Sequence, residues 1–256
     1  MMIPLPKRPS FLWYLTEPAR ALTEFGLSYS YANLNPSSKR GDGHPVLVIP
    51  GFMGNKSSTT MLRNYVGSLG YSVYDWGLGR NLGKVEDIDL LLSRVEEIST
   101  YHKTPVSIIG WSLGGVFARQ IAKENPVLVR QVITLGSPFR NVIESNNATW
   151  LYTTLFGDQK VKDLDHSLLH NFALPAPLPT TAIYTKEDGI VPWEACMEME
   201  VDDFHQNIQV RGSHCGLGMN SSVFMVIEDR LRYSINNWQH FKPKGLLKSK
   251  LLYPSL

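Results

Sequence analysis

The chain has 256 residues, of which 43% are hydrophobic and 19% are charged, and these proportions are typical of a globular protein. A chain of this length buries most of its apolar surface without disulfide staples, either as one large α/β domain or as two small domains. The 25 basic and 23 acidic residues leave a formal charge of only +2, so nothing in the charge balance favours nucleic acid as a partner.

The N-terminal segment carries no long apolar run, because Pro4, Pro6 and Pro9 interrupt it. It therefore lacks the apolar core of a signal peptide, and no later segment reaches the ~18 continuous apolar residues of a membrane span. We expect a cytoplasmic protein whose first regular element is a helix around residues 16–27.

Short apolar runs alternate with longer helical patterns along the middle of the chain, as is typical of a parallel sheet with crossover helices. The runs predict six strands at residues 46–49, 72–74, 106–109, 132–135, 181–184 and 208–210, of which the first is a continuous apolar run typical of a buried strand. Apolar residues at helical spacing predict helices at residues 57–69, 85–98 and 113–124, and a last helix that Asn220 caps. The expected fold class is α/β, with a mostly parallel sheet of about six strands and helices on both faces.

The interval from residue 141 to 179 is too long to be a structureless loop inside a compact domain. It holds an aromatic helical stretch with Trp150 and Phe156, followed by a polar stretch and three prolines. We expect a helical cap over the mouth of the sheet, inserted in a single domain that spans residues 1–256. Ordinary crossover helices without the role of a lid are the alternative.

The tail from Lys242 onward carries four lysines among leucines, Lys242, Lys244, Lys248 and Lys250. We expect this tail to be solvated and without regular structure. A weak contact with a membrane surface through the same basic residues is the alternative.

The sequence Gly110-Trp111-Ser112-Leu113-Gly114 stands between the third predicted strand and the helix that follows it. This is the context that the G-x-S-x-G motif requires. A nucleophilic serine has to stand clear of the sheet on a very tight turn, and the flanking glycines remove the side chains that would clash there. The helix behind the serine also offers free N–H groups and the positive end of a dipole. Ser112 is therefore the candidate nucleophile.

A serine hydroxyl is a poor nucleophile at neutral pH, so it needs a base, and the base needs an acid that orients it. In this kind of fold the chain order is serine, acid, histidine, and Asp188 and His214 follow the fifth and sixth predicted strands. Glu187 is the rival acid, but Asp-Gly forms a tight turn that gives the Asp188 carboxylate one direction. The rival histidines lie in the predicted cap, in an acidic stretch or beyond the last helix: His166, His170, His205 and His240.

An oxyanion hole is the third requirement. One donor should be the backbone N–H of Leu113, the residue after the nucleophile. The other should come from residues 50–54, Pro-Gly-Phe-Met-Gly, where two glycines let the backbone turn toward the oxyanion. Phe52 is the preferred donor in that loop and Met53 is the second choice.

Five short motifs now stand in order along the chain: Pro-Gly-Phe-Met-Gly at 50–54, Gly-Trp-Ser-Leu-Gly-Gly at 110–115, Leu-Gly-Ser-Pro at 135–138, Asp-Gly-Ile-Val-Pro at 188–192 and Ser-His-Cys-Gly at 213–216. Together they resemble motifs of the α/β-hydrolase superfamily. Within that superfamily the resemblance is to the bacterial serine hydrolases that are esterases or lipase-like. The resemblance implies a sheet that opens with an antiparallel hairpin, which is here either missing or hidden in the N-terminal segment. Many lipases of this kind carry His-Gly where this chain has Pro50-Gly51.

Apolar residues are expected to line the site: Met53, Trp150, Phe156, Ile190, Val191 and Leu217. Such a lining suits an acyl chain better than a charged or sugar substrate. The sequence therefore predicts a carboxylic ester hydrolase that acts on short- to medium-chain esters through an acyl-enzyme on Ser112. An acyltransferase or thioesterase with the same residues and a non-catalytic binding protein on this fold are the alternatives.

The expected partner is a small-molecule ester, and no cofactor or metal is expected. The chain has no phosphate loop with lysine and no G-x-G-x-x-G after a strand. Its two thiols, Cys196 and Cys215, form no zinc pattern. They follow the candidate acid and base in the chain, so a disulfide is feasible if those loops meet, and two reduced thiols are the alternative.

Overall fold

The computed structural model describes residues 7–34, 41–140, 171–243 and 250–256. In these residues one sheet contains six strands: β1 (Pro45–Ile49), β2 (Ser72–Asp75), β3 (Val106–Trp111), β4 (Val129–Leu135), β5 (Thr180–Tyr184) and β6 (His205–Gln209). Their order across the sheet is β2-β1-β3-β4-β5-β6, and all neighbouring strands run parallel. The predicted strands and the α/β class are confirmed, with shifted strand ends.

Five helices belong to the described ranges: α1 (Phe11–Leu34), α2 (Thr60–Ser68), α3 (Asp87–His102), α4 (Leu113–Glu124) and α5 (Ser221–Leu231). The predicted helices are confirmed, although α1 is much longer than expected and a short 3-10 turn precedes α2. Asn220 caps α5 as predicted, because its side-chain oxygen accepts from the N–H groups of Ser222 and Val223.

Alternate residues of the strands point into two apolar layers, one on each face of the sheet, as the two-residue period of a strand requires. Leu47 and Ile49 of β1 point to the layer that contains α3 and α4. Val46 and Val48 point to the opposite layer, which contains α2 and α5. Because helices cover both faces of the sheet, β1 is buried along its whole length. Parallel strands that are covered in this way consist of continuous apolar runs.

The N-terminal helix α1 packs beside α5 and the turn at residues 217–219. Residues 7–34 contain no strand, so the antiparallel hairpin that the resemblance implies is missing from the described N-terminal residues. None of the helices that the structure describes is both long enough and apolar enough to cross a membrane.

Most of the predicted cap, residues 141–170 with Trp150 and Phe156, lies outside the described residues, and the cap remains a prediction. The described remainder of that interval, residues 171–179, packs onto the core beside α4. Phe172, Ala176 and Leu178 are all buried there.

Residues 250–256 of the C-terminal tail are mostly exposed, as expected, but the expectation that they lack regular structure is wrong. Tyr253 is buried in the second apolar layer, where its ring meets that of Phe241 edge-on at 4.9 Å between centroids. Its hydroxyl donates to the Ser222 carbonyl at 3.0 Å. The hydroxyl of Ser255 accepts from the N–H of Gln209 on the edge strand β6. The buried ring of Tyr253 and the hydrogen bond to the edge strand β6 therefore hold this segment in place. The lysine-rich composition of the tail did not indicate either contact.

We expect the substitution Tyr253→Ala to lower the free energy of unfolding by about 3 kcal/mol or more, because it empties a fully enclosed aromatic site. Urea denaturation measures the change. Leu251→Ala in the same segment is the control, since that side chain is 63% exposed, and it should change stability by no more than about 0.5 kcal/mol. Equal losses for the two variants would mean that the segment is not anchored through Tyr253.

Candidate active site

Ser112 occupies the sharp turn between β3 and α4 with a φ of 51° and a ψ of −122°. A positive φ at a non-glycine residue costs about 1–3 kcal/mol and persists only where the surroundings over-determine it. Here the N–H of Ser112 donates to the Leu135 carbonyl of β4, and the Ser112 carbonyl accepts from Gly115. The turn is thus tied on one side to the sheet and on the other to the first turn of α4.

The backbone around this turn is so close-packed that only glycine fits at three positions. A Cβ at Gly110 would lie under 3.0 Å from the backbone of Gly115, and a Cβ at Gly114 would lie equally close to the Ile49 carbonyl of β1. At Gly115 it would meet the side chain of Ser137. The sequence motif identified the first two positions, whereas the third is explained only by the packing of α4 on the end of β4.

The structure brings the predicted acid and base into contact. His214 Nδ1 lies 2.6 Å from Asp188 Oδ2, and both side chains are buried. The other carboxylate oxygen, Oδ1, accepts from the N–H groups of Ile190 and Val191 at 2.8 and 2.7 Å. Two backbone donors therefore aim the carboxylate at the imidazole. The rival Glu187 instead accepts from the N–H of Gly212.

His214 also lies beside the turn at Ser112. Trp111, the residue before Ser112, donates its indole N–H to the His214 carbonyl at 3.2 Å. A Cβ on Gly136, at the end of β4, would lie 3.2 Å from His214 Nδ1. The ends of β3, β4, β5 and β6 thus gather Ser112, Asp188 and His214 at one edge of the sheet, as expected for the carboxyl ends of parallel strands.

The pKa of His214 is raised above its ordinary value. Burial by itself would lower this pKa, but the Asp188 carboxylate, through its charge and its hydrogen bond, and the charge of Glu17 outweigh that effect. The hydrogen bond to Asp188 assigns the proton to Nδ1 and leaves Nε2 as the basic nitrogen.

The predicted oxyanion loop, residues 50–54, lies directly against Ser112, since a Cβ on Gly51 would lie 3.1 Å from the Cβ of Ser112. The N–H of Met53 is occupied, because it donates to the Asn81 carbonyl at 2.7 Å. The N–H groups of Phe52 and Leu113 donate to no other residue in the described part of the chain. Two donors thus remain free beside Ser112.

Asn81 holds this loop in shape, a role that its place in a glycine-rich stretch did not reveal. It is buried, and its side chain donates to the Pro50 carbonyl at 2.8 Å. Its backbone N–H donates to the Gly54 carbonyl at 2.8 Å, while its carbonyl accepts from Met53. Three hydrogen bonds with Asn81, two donated and one accepted, therefore set the direction of the loop backbone.

The predicted apolar lining is only partly available to a substrate. Met53 is 49% exposed and Ile190 is half-buried. Val191 and Leu217, in contrast, are completely buried in the two apolar layers, so their side chains support the loops and offer no surface to a ligand. The prediction that these two line the pocket is corrected on that ground. Trp150 and Phe156 lie outside the described residues.

A second Ser–His–Asp array lies near the amino ends of β1 and β3. His44 Nδ1 lies 2.5 Å from Asp42 Oδ1, and its Nε2 lies 2.9 Å from the hydroxyl of Ser107. Ser107 is 0% exposed inside β3, so no substrate can reach it. Burial and the charge of Arg130 lower the pKa of His44, the opposite of the shift at His214. This array cross-links the sheet from within.

Two cavities are lined by residues other than Ser112, Asp188 and His214. One, of about 850 Å³, opens beside β5 and β6 and is lined by Tyr184, Trp193 and Met199 among others. The other, of about 510 Å³, lies between α1, α2 and α5. Neither is lined by Ser112 or His214.

The two cysteines, Cys196 (buried) and Cys215 (exposed), are free thiols, so the alternative of two reduced thiols holds. In the ranges that the structure describes, His, Cys, Asp and Glu side chains form no group of three or more with the arrangement of a metal site.

Several solved structures of lipases and esterases are similar to this chain. Aspergillus fumigatus lipase B has 17% identity and a TM-score of 0.58 over 77% of this chain and 54% of its own, so this chain spans about half of that lipase. The esterase domain of a Rhodothermus marinus protein has 18% identity and a TM-score of 0.56, over 78% and 91%. A monoacylglycerol lipase from Paleococcus ferrophilus has 13% identity and a TM-score of 0.54, over 77% and 95%.

No protein-family model matches the sequence, and no curated protein matches it either. The likeness to solved structures nevertheless establishes the architecture: the chain has an α/β-hydrolase fold, as the sequence motifs predicted.

We expect Gly114→Ala to lower the free energy of unfolding by about 1–3 kcal/mol or more, because its methyl group would press on the backbone of β1. Gly67→Ala is the matched control. Gly67 lies exposed in α2 with only Val73 within 4 Å of an added Cβ, at 3.9 Å, and alanine there should stabilise by about 0.5–1 kcal/mol. Urea denaturation measures both variants, and a neutral Gly114→Ala would contradict the close packing of α4.

Proposed function

We propose that this chain is a carboxylic ester hydrolase in which Ser112, His214 and Asp188 act as the catalytic triad. The observation that carries the proposal is the 2.6 Å contact between His214 and Asp188 beside the strained turn of Ser112. A buried acid, an oriented imidazole and a serine on a tight turn are the parts that acyl transfer requires. The similarity to solved lipases and esterases supports the same reaction class.

The first half-reaction forms an ester on the enzyme. His214 Nε2 takes the proton of the Ser112 hydroxyl, while Oγ forms a bond to the carbonyl carbon of the substrate. The carbonyl oxygen becomes an oxyanion that accepts hydrogen bonds from the N–H groups of Phe52 and Leu113, and each such donor is worth ~3 kcal/mol in the transition state. The C–O bond to the alcohol then breaks, and His214 returns its proton to the leaving oxygen.

The second half-reaction repeats these steps with water. His214 removes a proton from the water as its oxygen attacks the acyl carbon, and the same two N–H groups hold the second oxyanion. The bond to Ser112 breaks, Oγ regains the proton from His214, and the carboxylic acid leaves. Asp188 holds the imidazole in the required tautomer and balances its charge in both steps.

The surroundings favour an uncharged acyl group. Phe52, Met53 and Ile190 are apolar and partly exposed around the triad, and such a lining binds an acyl chain better than a charged one. We propose short- to medium-chain esters as substrates, with Trp150 and Phe156 as further candidates for contact with the acyl chain.

We expect Ser112→Ala to lower kcat for p-nitrophenyl esters by about four to six orders of magnitude, since it removes the nucleophile. Ser107→Ala is the matched control, because Ser107 also bonds to a histidine but is enclosed in β3. It should retain the wild-type kcat at equal folded concentration. A wild-type protein that hydrolyses no uncharged ester across a series of acyl lengths would contradict the proposed function.

The pH profile of kcat/KM should have an acid limb whose midpoint lies above pH 6.5, the ordinary pKa of histidine. The reason is that His214 acts as a base only when it is neutral, and its pKa is raised. Activity is therefore present above that pKa and is lost as the pH falls through it. Initial rates at substrate concentrations below KM measure the midpoint, and a midpoint below pH 6.5 would contradict the coupling of His214 to Asp188.

A further inference from the structure

The inner face of α1 places a buried carboxylate between two loops of the candidate site. These are the acid loop, residues 185–192, and the histidine loop, residues 211–216. Glu17 is only 2% exposed. Its Oε1 accepts from the N–H of Gly189 at 2.8 Å and from the N–H of His214 at 3.0 Å. Its Oε2 accepts from the N–H of Cys215 at 2.9 Å. One side chain thus holds three backbone donors from two loops.

The loops are shaped to receive α1. A Cβ at Gly189 would lie 2.5 Å from the backbone N of Tyr14 in α1. A Cβ at Gly212 would lie 2.6 Å from the carboxylate of Glu24, and one at Gly216 would be closer still. Glycine at position 189 therefore lets the backbone of α1 approach the acid loop directly, and glycine at positions 212 and 216 leaves room for the Glu24 carboxylate.

Arg20 completes this contact from the same helix. It donates to Glu17 Oε1 at 3.0 Å and to the carbonyls of Glu187 and Gly212 at 2.9 and 3.2 Å. The guanidinium therefore balances the buried carboxylate and binds one carbonyl from each loop. A direct bond between the loops, from the hydroxyl of Thr185 to the Gly212 carbonyl at 2.9 Å, lies alongside.

We propose that Glu17 is a positioning residue for the triad, which keeps the acid loop and the histidine loop in the register that brings Asp188 onto His214. The inference rests on the proposed ester hydrolase function. Gly189 directly follows Asp188, and the bond to His214 is made by the backbone of the catalytic base itself. A shift of either loop would therefore move one partner of the 2.6 Å contact, and a displacement of that kind by 1 Å can cost about 100-fold in rate.

The charge of Glu17 adds a second effect, which a purely structural contact would lack. The charged and titratable groups around His214 are Asp188 from the acid loop, Glu17 and Arg20 from α1, and Cys215 next along the chain. Desolvation and the Glu17 carboxylate raise the pKa of the Cys215 thiol to about 12, so it stays neutral over an ordinary assay range. Glu17 contributes to the raised pKa of His214, and neutralising it should lower that pKa.

The test is Glu17→Gln, which keeps the shape of the side chain but removes its charge and turns one acceptor into a donor. We expect kcat for a p-nitrophenyl ester to fall by about 10- to 100-fold with KM little changed. The acid limb of the kcat/KM profile should move to lower pH. An unchanged kcat and an unchanged acid limb in a folded Glu17→Gln protein would overturn the proposal.

Glu24→Gln is the matched control on the same helix. Glu24 accepts from the N–H and hydroxyl of Ser213 and from the side chain of Asn220, but it makes no bond to His214 or to the acid loop. This variant should lose stability while its acid limb stays at the wild-type pH. If it moved the acid limb as far as Glu17→Gln does, the effect would be a general loosening of α1 and the proposal would be wrong.

Two further measurements distinguish a failure of the Glu17 proposal from a failure to fold and from a failure of the proposed ester hydrolase function. If Glu17→Gln does not fold, Glu17→Asp replaces it, and an unchanged kcat there would overturn the proposal because the shorter carboxylate cannot reach both loops. If the wild type hydrolyses no ester, the proposed function fails, and the titration of His214 by NMR takes the place of activity. A lower midpoint in Glu17→Gln then supports the role of Glu17, and the wild-type midpoint overturns it.

Discussion

The first turn of α4 packs closely against the ends of β1, β3 and β4, through the backbone of β1 and β3 and through the side chain of Ser137 after β4, and the rest of the candidate site depends on that contact. Gly110, Gly114 and Gly115 leave no room there for a Cβ. Because the backbones are so close, the chain must turn between β3 and α4 within one residue, and Ser112 takes the strained conformation. The serine thereby stands beside the free N–H groups of the helix N-terminus and against residues 50–54.

The two Ser–His–Asp arrays of this chain show what separates a candidate triad from a structural cross-link. Both have an aspartate bonded to histidine Nδ1, yet Ser107 is enclosed in a regular strand while Ser112 stands on a strained turn at the sheet edge. The pKa shifts of the two histidines also have opposite signs. Burial dominates at His44, whereas the carboxylates around His214 outweigh burial. Environment, more than residue type, distinguishes the two.

The N-terminal helix joins the candidate site through its backbone and its buried charges. Glu17, Arg20 and Glu24 lie along the face of α1 that meets the acid and histidine loops, and the glycines of those loops make the close approach feasible. Neither loop belongs to a helix or a strand, so contacts from outside have to define their conformation. A helix that is remote from Ser112 in the chain thus contacts the two loops that carry Asp188 and His214.

The sequence by itself determined the order of the strands and helices along the chain, the turn at Ser112 and the choice of Asp188 and His214 as candidates. These follow from local patterns: apolar runs, helical spacing, glycines around a serine, and loops after strands. Only the tertiary structure decided the contacts of Glu17, Asn81 and Tyr253 and the burial of Val191 and Leu217. The physical reason is that the contacts and the burial of these residues depend on hydrogen bonds or packing between segments far apart in the chain. Such contacts produce no periodic pattern in the sequence.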